Sequence, residues 1–222
     1  MNIILSQAGK TQVNKEHYMF DKYLTLARWN SYYHQIMESV AFSPKTILIV
    51  GAGDNIVGNM IATMLQSKVY TFDFDENLQP DFCGNVMNIQ QILKGVKRFD
   101  LVLCCQVLEH IPFSSFENVI QQLSTIADNV IISLPHTPIR IAMSVDFPFI
   151  GSKKINFDIH QFFRSYKFNG EHYWEVGHKG YSKNKIKKVL EKYMKIKKQF
   201  VAINNHFHLF YCLTSKNNNY AE

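Results

Sequence analysis

Two short stretches of this chain carry residue types at spacings that could do chemistry. In TILIVGAGDN, residues 46–55, apolar residues run straight into Gly51-Ala52-Gly53, and a helix-like pattern begins at once. Glycine lets a ligand approach backbone that a Cβ would shield, and the helix start beyond it offers unpaired N–H groups. A tight strand-to-helix turn also needs glycines for packing alone, so the pair by itself leaves both readings open. VYTFDFD, residues 69–75, adds weight to the ligand. Asp73 stands 22 positions after Gly51, about where an acid ending the second strand of a βαβ unit takes the hydroxyls of a ribose. Asp75 shares its strand face, but it already reads as loop, so Asp73 is the choice. Ile56 breaks a dinucleotide Gly-x-Gly-x-x-Gly, and no Gly-Lys-Ser/Thr follows. A ribose-bearing ligand without a pyrophosphate therefore fits better than NAD or ATP.

The second stretch is FDLVLCCQVLEHIP, residues 99–112, a buried strand that ends at Gln106 and carries His110 just beyond it. Histidine is the usual general base near neutral pH, and the chain has nine. His110 follows the fourth strand and His136 the fifth, while His160, His172 and His178 lie in the segment 137–180. His110 is the first candidate base and His178 the second, with Glu175 able to orient either. His110 can equally do no more than pin its loop. His206 and His208 share one face of a closing strand and read as structural.

Elements of alternating type must position these residues. Residues 15–40 read as a helix with Trp29, Tyr33, Ile36, Met37 and Val40 at helical spacing, joined by Tyr18, Tyr23 and Tyr32. After the glycines, Val57, Met60, Ile61, Met64 and Leu65 fall at i, i+3, i+4, i+7 and i+8, one face of a helix. A short strand or turn near 82–86 precedes a helix at 89–94. Ser114 and Glu117 form a capping box ahead of a helix burying Phe116, Val119, Ile120 and Leu123. Residues 129–135 are a further strand. Ser182 caps a helix whose apolar face is Ile186, Val189, Leu190, Tyr193 and Met194. QFVAI and HLFYCLT then form an antiparallel pair turning at Asn204-Asn205. Strands alternating with helices predict an α/β fold, a mostly parallel sheet with helices on both faces and an antiparallel C-terminal strand. Ligands of such sheets lie beyond the carboxyl ends of the strands, at the switch point, where Gly51, Asp73 and Gln106 would meet.

Composition sets bounds on function. The 222 residues, 46% hydrophobic and 19% charged, suffice for a single domain, 1–222, with an N-terminal helical segment, 1–44, and an insertion, 137–180. No apolar run has the length to cross a bilayer, and the start shows no basic leader with a long apolar core. Cys83, Cys104, Cys105 and Cys212 form no C-x-x-C pair and read as free thiols in a reducing cytoplasm. The net charge of +6 is local: eight lysines and one acid lie between 183 and 198. They fall on the helix face opposite the apolar one, so a solvated helix back is expected and nucleic acid is not expected as a partner.

At these residues the chain resembles the class I S-adenosylmethionine-dependent methyltransferases, in the branch called methyltransferase-11-like. The match covers about residues 46–135. ILIVGAGDN is similar to the family's glycine motif, VYTFDFD to its acidic second strand, PDFCGNV to Pro-Asp-x-x-Gly-Asp, and FDLVLCCQVLEHIP to Phe-Asp-x-Val-x-x-x-x-Val-Leu-Glu-His. The resemblance implies a Rossmann-like seven-stranded sheet and S-adenosyl-L-methionine as cofactor. It implies Gly51 and Gly53 beside the methionine and ribose, Asp73 on the ribose, Asn85 and Val86 at the adenine, and Gln106 under the sulfonium. Three positions depart from the pattern: Ile49, Asn55 and Asn85 stand where an acid, a glycine and an acid are common. In some related quinone O-methyltransferases acids beside this Glu-His hold a divalent metal. Gln106 replaces one of them, so no metal is expected. The aromatic-rich segment 137–180 reads as a cap, with residues 172–181 lining an acceptor pocket. The expected activity is O-methylation of a small molecule; methylation of RNA or protein, or a binding module without turnover, are the alternatives.

Overall fold

The computed structural model describes residues 25–149, 151–159 and 163–216. Tyr18, Tyr23 and the start of the expected first helix lie outside the described residues. Helix α1 (Leu26–Phe42) opens where the Thr25 hydroxyl accepts from the Arg28 N–H. It closes at Ser43, in the left-handed region at φ 46°. Strand β1 (Thr46–Val50), helix α2 (Ile56–Leu65), strands β2 (Lys68–Asp73) and β3 (Phe82–Cys83), helix α3 (Ile89–Ile92) and strand β4 (Phe99–Cys105) follow. Then come helix α4 (Phe113–Ile126) and strand β5 (Ala127–Pro135), a hairpin of β6 (Ile139–Phe147) and β7 (Gly151–Ile159), helix α5 (Lys183–Tyr193), and strands β8 (Met194–Ala202) and β9 (Asn205–Ser215).

Seven strands form one sheet in the order β3-β2-β1-β4-β5-β9-β8. The strands β1 to β5 run parallel, β9 is antiparallel to β5, and β8 is antiparallel to β9. The expected α/β class and its antiparallel end are observed. The reason lies in period-two alternation along strands buried on both faces. Ile47 and Ile49 point to one side with Leu101, Leu103 and Phe210, where α1 and α2 supply Tyr32, Ile36, Val57 and Ile61. Leu48 and Val50 point to the other with Val102 and Cys104, against Phe116 and Ile120 of α4 and Ile186 and Leu190 of α5. Cys104 and Cys105 divide between the two sides. The order reverses between β1 and β4, so their carboxyl ends bound the crevice.

Four local expectations need correction. The capping box at Ser114 and Glu117 does not form. Pro112 precedes α4 without a side-chain cap, and Glu117 instead accepts from Lys192 Nζ (2.8 Å) and the Tyr193 hydroxyl (3.0 Å). Met194 does not end α5 but starts β8, pairing with Ser215. The third helix is one turn, Ile89–Ile92, rather than 89–94. The hairpin β6–β7 in the insertion was not expected: it forms a separate two-stranded sheet. Ile139, Ile141, Met143, Val145 and Phe147 alternate along β6, each about half exposed. Among the described residues no helix is long and apolar enough to cross a membrane.

Candidate active site

The turn after β1 is built from left-handed backbone. Gly51, Gly53 and Asn55 have φ of 71°, 53° and 54°. Gly51 N–H donates to the Phe72 carbonyl (2.8 Å), which ties the turn to the end of β2. A Cβ at Gly51 would collide with Val107 Cγ2, so packing alone already requires glycine there. Asp73 ends β2 beneath this turn. Its Oδ2 accepts from Gly53 N–H at 3.4 Å and its Oδ1 from Asp75 N–H at 3.1 Å. Burial pushes the Asp73 carboxyl up, against the pull of those N–H groups. Asp75 faces its own loop instead, with its Oδ1 accepting from both the backbone and the side chain of Asn77 at 2.9 Å. The strand therefore ends at Asp73, and Asp75 belongs to the turn that follows.

Two neighbours differ in what they offer. Asn85 caps a 3-10 turn, its Oδ1 accepting from Met87 N–H (2.9 Å), and the Val86 side chain is buried in the core. Asp54, which the sequence did not single out, has an Oδ2 that is buried with no hydrogen-bond partner among the described residues. Burial raises its carboxyl, while the Ile56 N–H and Arg28 lower it. A groove of about 640 Å³ between α3 and α4 runs past Arg98 and Ile126. It lies at the amino ends of β4 and β5, and Met87 and Asn88 after the Asn85 turn line one side of it.

The second cluster follows β4. Gln106 takes a left-handed φ of 57°, and its N–H donates to the Ser133 carbonyl (2.9 Å). With its amide oriented to satisfy both ends, its nitrogen donates to Glu109 Oε1 (3.3 Å) and its oxygen accepts from Ser133 Oγ (3.1 Å). Leu108–His110 form a 3-10 turn that turns Glu109 fully inside, at 0% exposure. Burial pushes the Glu109 carboxyl up to about 8, and its Oε2 has no hydrogen-bond partner among the described residues. His110 is drawn down by burial and by His172, with its Nδ1 3.1 Å from the Glu171 carbonyl. The two imidazole rings meet edge to face at 5.0 Å.

Part of the segment 137–180 makes this cluster by folding back onto the end of the sheet. Val176 N–H donates to the Pro135 carbonyl (2.9 Å), Tyr173 N–H to the Glu109 carbonyl (2.8 Å), and the Trp174 indole to the Ile111 carbonyl (3.1 Å). Trp174 is fully buried among Phe113, Phe116 and Tyr181. Residues 172–181 are thus in part core rather than pocket lining. Glu175 Oε1 takes His172 Nδ1 (2.9 Å) and the Tyr166 hydroxyl (3.0 Å). Burial disfavours charge on both His172 and Glu175. Their mutual bond, together with Glu109 and Glu171 around the histidine and Tyr166 and Thr137 around the acid, outweighs it, raising the histidine and lowering the acid. His178 has Nε2 2.9 Å from Thr137 Oγ1 and Nδ1 3.3 Å from the Arg164 carbonyl. Its distance to Glu175 is 4.0 Å. Glu175 therefore orients His172, whereas Thr137 and Arg164 hold His178.

Sequence reasoning missed Glu109 and His172 as members of this group. The adjacency Glu109-His110 and the i, i+3 pair His172-Glu175 were visible, but nothing in the order of residues says that the two pairs meet.

No family model and no curated protein significantly matches the sequence, so the methyltransferase-11-like branch has no model match behind it. Solved structures do match the fold. The N-methyltransferase NodS from Bradyrhizobium japonicum WM9, in complex with S-adenosylhomocysteine, has a TM-score of 0.59 at 7% identity, over 92% of this chain and 94% of that one. The 1,6-didemethyltoxoflavin-N1-methyltransferase of Burkholderia thailandensis has a TM-score of 0.56 at 12% identity, over 85% and 77%. Magnesium protoporphyrin IX methyltransferase from Synechocystis PCC 6803 has a TM-score of 0.54 at 15% identity, over 93% and 90%. The sheet is therefore the Rossmann-like sheet of the class I adenosylmethionine-dependent methyltransferases. At these identities the likeness establishes the fold.

Proposed function

We propose that the protein is an S-adenosylmethionine-dependent methyltransferase acting on the hydroxyl of a small molecule in the cytoplasm. The observation that carries this reading is the Asp73 carboxylate at the end of β2, beneath the left-handed Gly51–Gly53 turn at the sheet's switch point. The residues present fit the cofactor: Asp73 offers carboxylate oxygens to the ribose, and the orphaned Asp54 Oδ2 is an acceptor suited to an ammonium. The Gly51–Gly53 turn, with Gly51 itself packed on Val107, would lie beside the methionine portion, while Asn85 and Val86 form the turn toward the adenine. Gln106 stands at the sulfonium end. When bound, the cofactor supplies a methyl group already activated on sulfur, so the protein's work is alignment and handling of one proton.

That work falls to the second cluster. An acceptor hydroxyl must lose its proton, and the described residues past β4 offer a buried carboxyl and two imidazoles, Glu109, His110 and His172, to manage it. Glu175 acts through His172. His178, bonded on both ring nitrogens, serves as a positioning residue for the segment 137–180, which we read as the cap of the acceptor pocket. The solved neighbours include proteins named as methyltransferases of small molecules, which supports the acceptor class. The test is turnover of adenosylmethionine to S-adenosylhomocysteine with a panel of hydroxylated small molecules. His110→Ala is expected to lower that turnover roughly 10²–10⁴-fold, as loss of a proton-handling group does, with S-adenosylhomocysteine affinity intact. Unchanged turnover removes His110 from the chemistry. Methylation of amines but not hydroxyls overturns the acceptor class.

A further inference from the structure

We infer that Glu109, His110 and His172 bind a divalent first-row cation at the acceptor end of the cleft. Each residue offers one ligand atom, and the three atoms lie within 4.8 Å of one another. Glu109 is completely buried and its Oε2 has no hydrogen-bond partner among the described residues. Leaving such an oxygen unmatched is costly, and buried charges are normally paired or coordinate metals.

The outer contacts suit this role. A ligating imidazole commonly gives its other nitrogen to a carboxylate or a carbonyl, which sets tautomer and ring angle. His172 has Nδ1 on the Glu175 carboxylate at 2.9 Å, and Glu175 is held in turn by the Tyr166 hydroxyl at 3.0 Å. His110 has Nδ1 on the Glu171 carbonyl at 3.1 Å. In the tautomer with hydrogen on Nδ1, both rings carry their lone pair on Nε2. The Tyr173-to-Glu109 backbone bond and the Trp174-to-Ile111 bond lock the two strips of chain that supply these ligands. One carboxylate and two imidazoles suit zinc, manganese, cobalt or iron(II) rather than calcium. Three protein ligands leave coordination positions open, as in catalytic rather than structural sites.

The cation deepens the methyltransferase reading and rests on it only for its purpose. An acceptor hydroxyl oxygen occupying an open position would lose its proton to solvent more readily, the O–H electron pair staying on oxygen. His110 then serves as a ligand. The site departs from the absence of a metal expected from Gln106, because His172 comes from a segment that sequence order does not connect to the Glu-His pair.

The experiment is direct binding to chelator-treated protein. Titration with cobalt(II) chloride, followed by visible absorption, and with manganese(II) chloride, followed by calorimetry, is expected to show one equivalent per chain. His172→Ala is expected to abolish that equivalent. Glu175→Gln is expected to weaken it about 10–100-fold, as loss of an outer partner does. Circular dichroism of each variant guards against misfolding, and Glu175→Gln, which keeps size and shape, covers the case in which His172→Ala is unstable. The absence of any equivalent in wild-type protein, or His172→Ala binding as tightly as wild type, overturns the site. S-adenosylhomocysteine binding is measured on the same samples. Cofactor binding without metal rejects the cation alone; metal binding without cofactor supports the site and rejects the methyltransferase reading.

Discussion

The two ends of the cleft are built differently. At the proposed cofactor end, Gly51, Gly53 and Asp73 sit at the carboxyl ends of adjacent parallel strands, and backbone N–H groups hold them: that of Gly51 donates to the Phe72 carbonyl, that of Gly53 to the Asp73 carboxylate and that of Gly84 to the Asp73 carbonyl. At the proposed acceptor end, Glu109 and His110 meet His172 and Glu175 only because a long segment folds back over β5 and anchors through Trp174 and Val176. The first end is a property of the sheet. The second depends on one docked segment. On the proposed reading, cofactor alignment rests on the sheet and acceptor recognition on the docked segment.

The largest expected effect comes from removing that anchor. Trp174→Ala takes a fully buried indole from the core and should cost about 3–5 kcal/mol of stability, seen as a lower denaturant midpoint. If the two ends are independent, whatever remains folded keeps its S-adenosylhomocysteine affinity while turnover collapses. Loss of affinity in parallel with turnover breaks the comparison.

Asp73→Ala should do the reverse. Losing a charged hydrogen-bond acceptor costs about 1.5–3 kcal/mol of binding per bond, beside a drop in melting temperature from the Gly53 and Asp75 N–H groups that lose their acceptor. Asp75→Ala should leave affinity unchanged, because Asp75 caps Asn77. Calorimetry on both variants checks this, and the opposite ranking puts the ribose on the wrong acid.

A smaller effect separates both ends from the α1 face. Burial holds His208 down to about 4 from an ordinary 6.5, and its Nδ1 lies 2.8 Å from Ser31 Oγ. His34 is also lowered by burial, and its Nε2 accepts from the Ile203 N–H at 3.0 Å. Both folded values lie below the unfolded one, so the unfolded chain takes up protons first on acidification. Their contribution is whole above about pH 6.5 and fades as pH falls toward 4. The melting temperature should drop between neutral pH and about pH 5, and His208→Gln should shrink the drop. A pH response identical to wild type contradicts this assignment.

What could be read from the sequence follows the same division. Strand alternation, the glycine turn, the end of β2 at Asp73 and the Ser182 cap of α5 depend on neighbours in sequence. The Glu109–His172 meeting does not, because it requires knowing where residues 172–178 return. The hairpin β6–β7 was missed although Ile139, Ile141, Met143, Val145 and Phe147 alternate plainly; the many aromatics of that segment point to a cap instead. The capping box failed because Glu117 has partners on α5, Lys192 and Tyr193, that local sequence cannot supply.

The central claim is that the sheet's switch point binds adenosylmethionine. Isothermal calorimetry of folded wild-type protein with S-adenosylmethionine, with NAD as the control ligand, tests it most directly. The expected result is one equivalent of adenosylmethionine bound and no comparable affinity for NAD; folded protein that takes up no adenosylmethionine contradicts the claim.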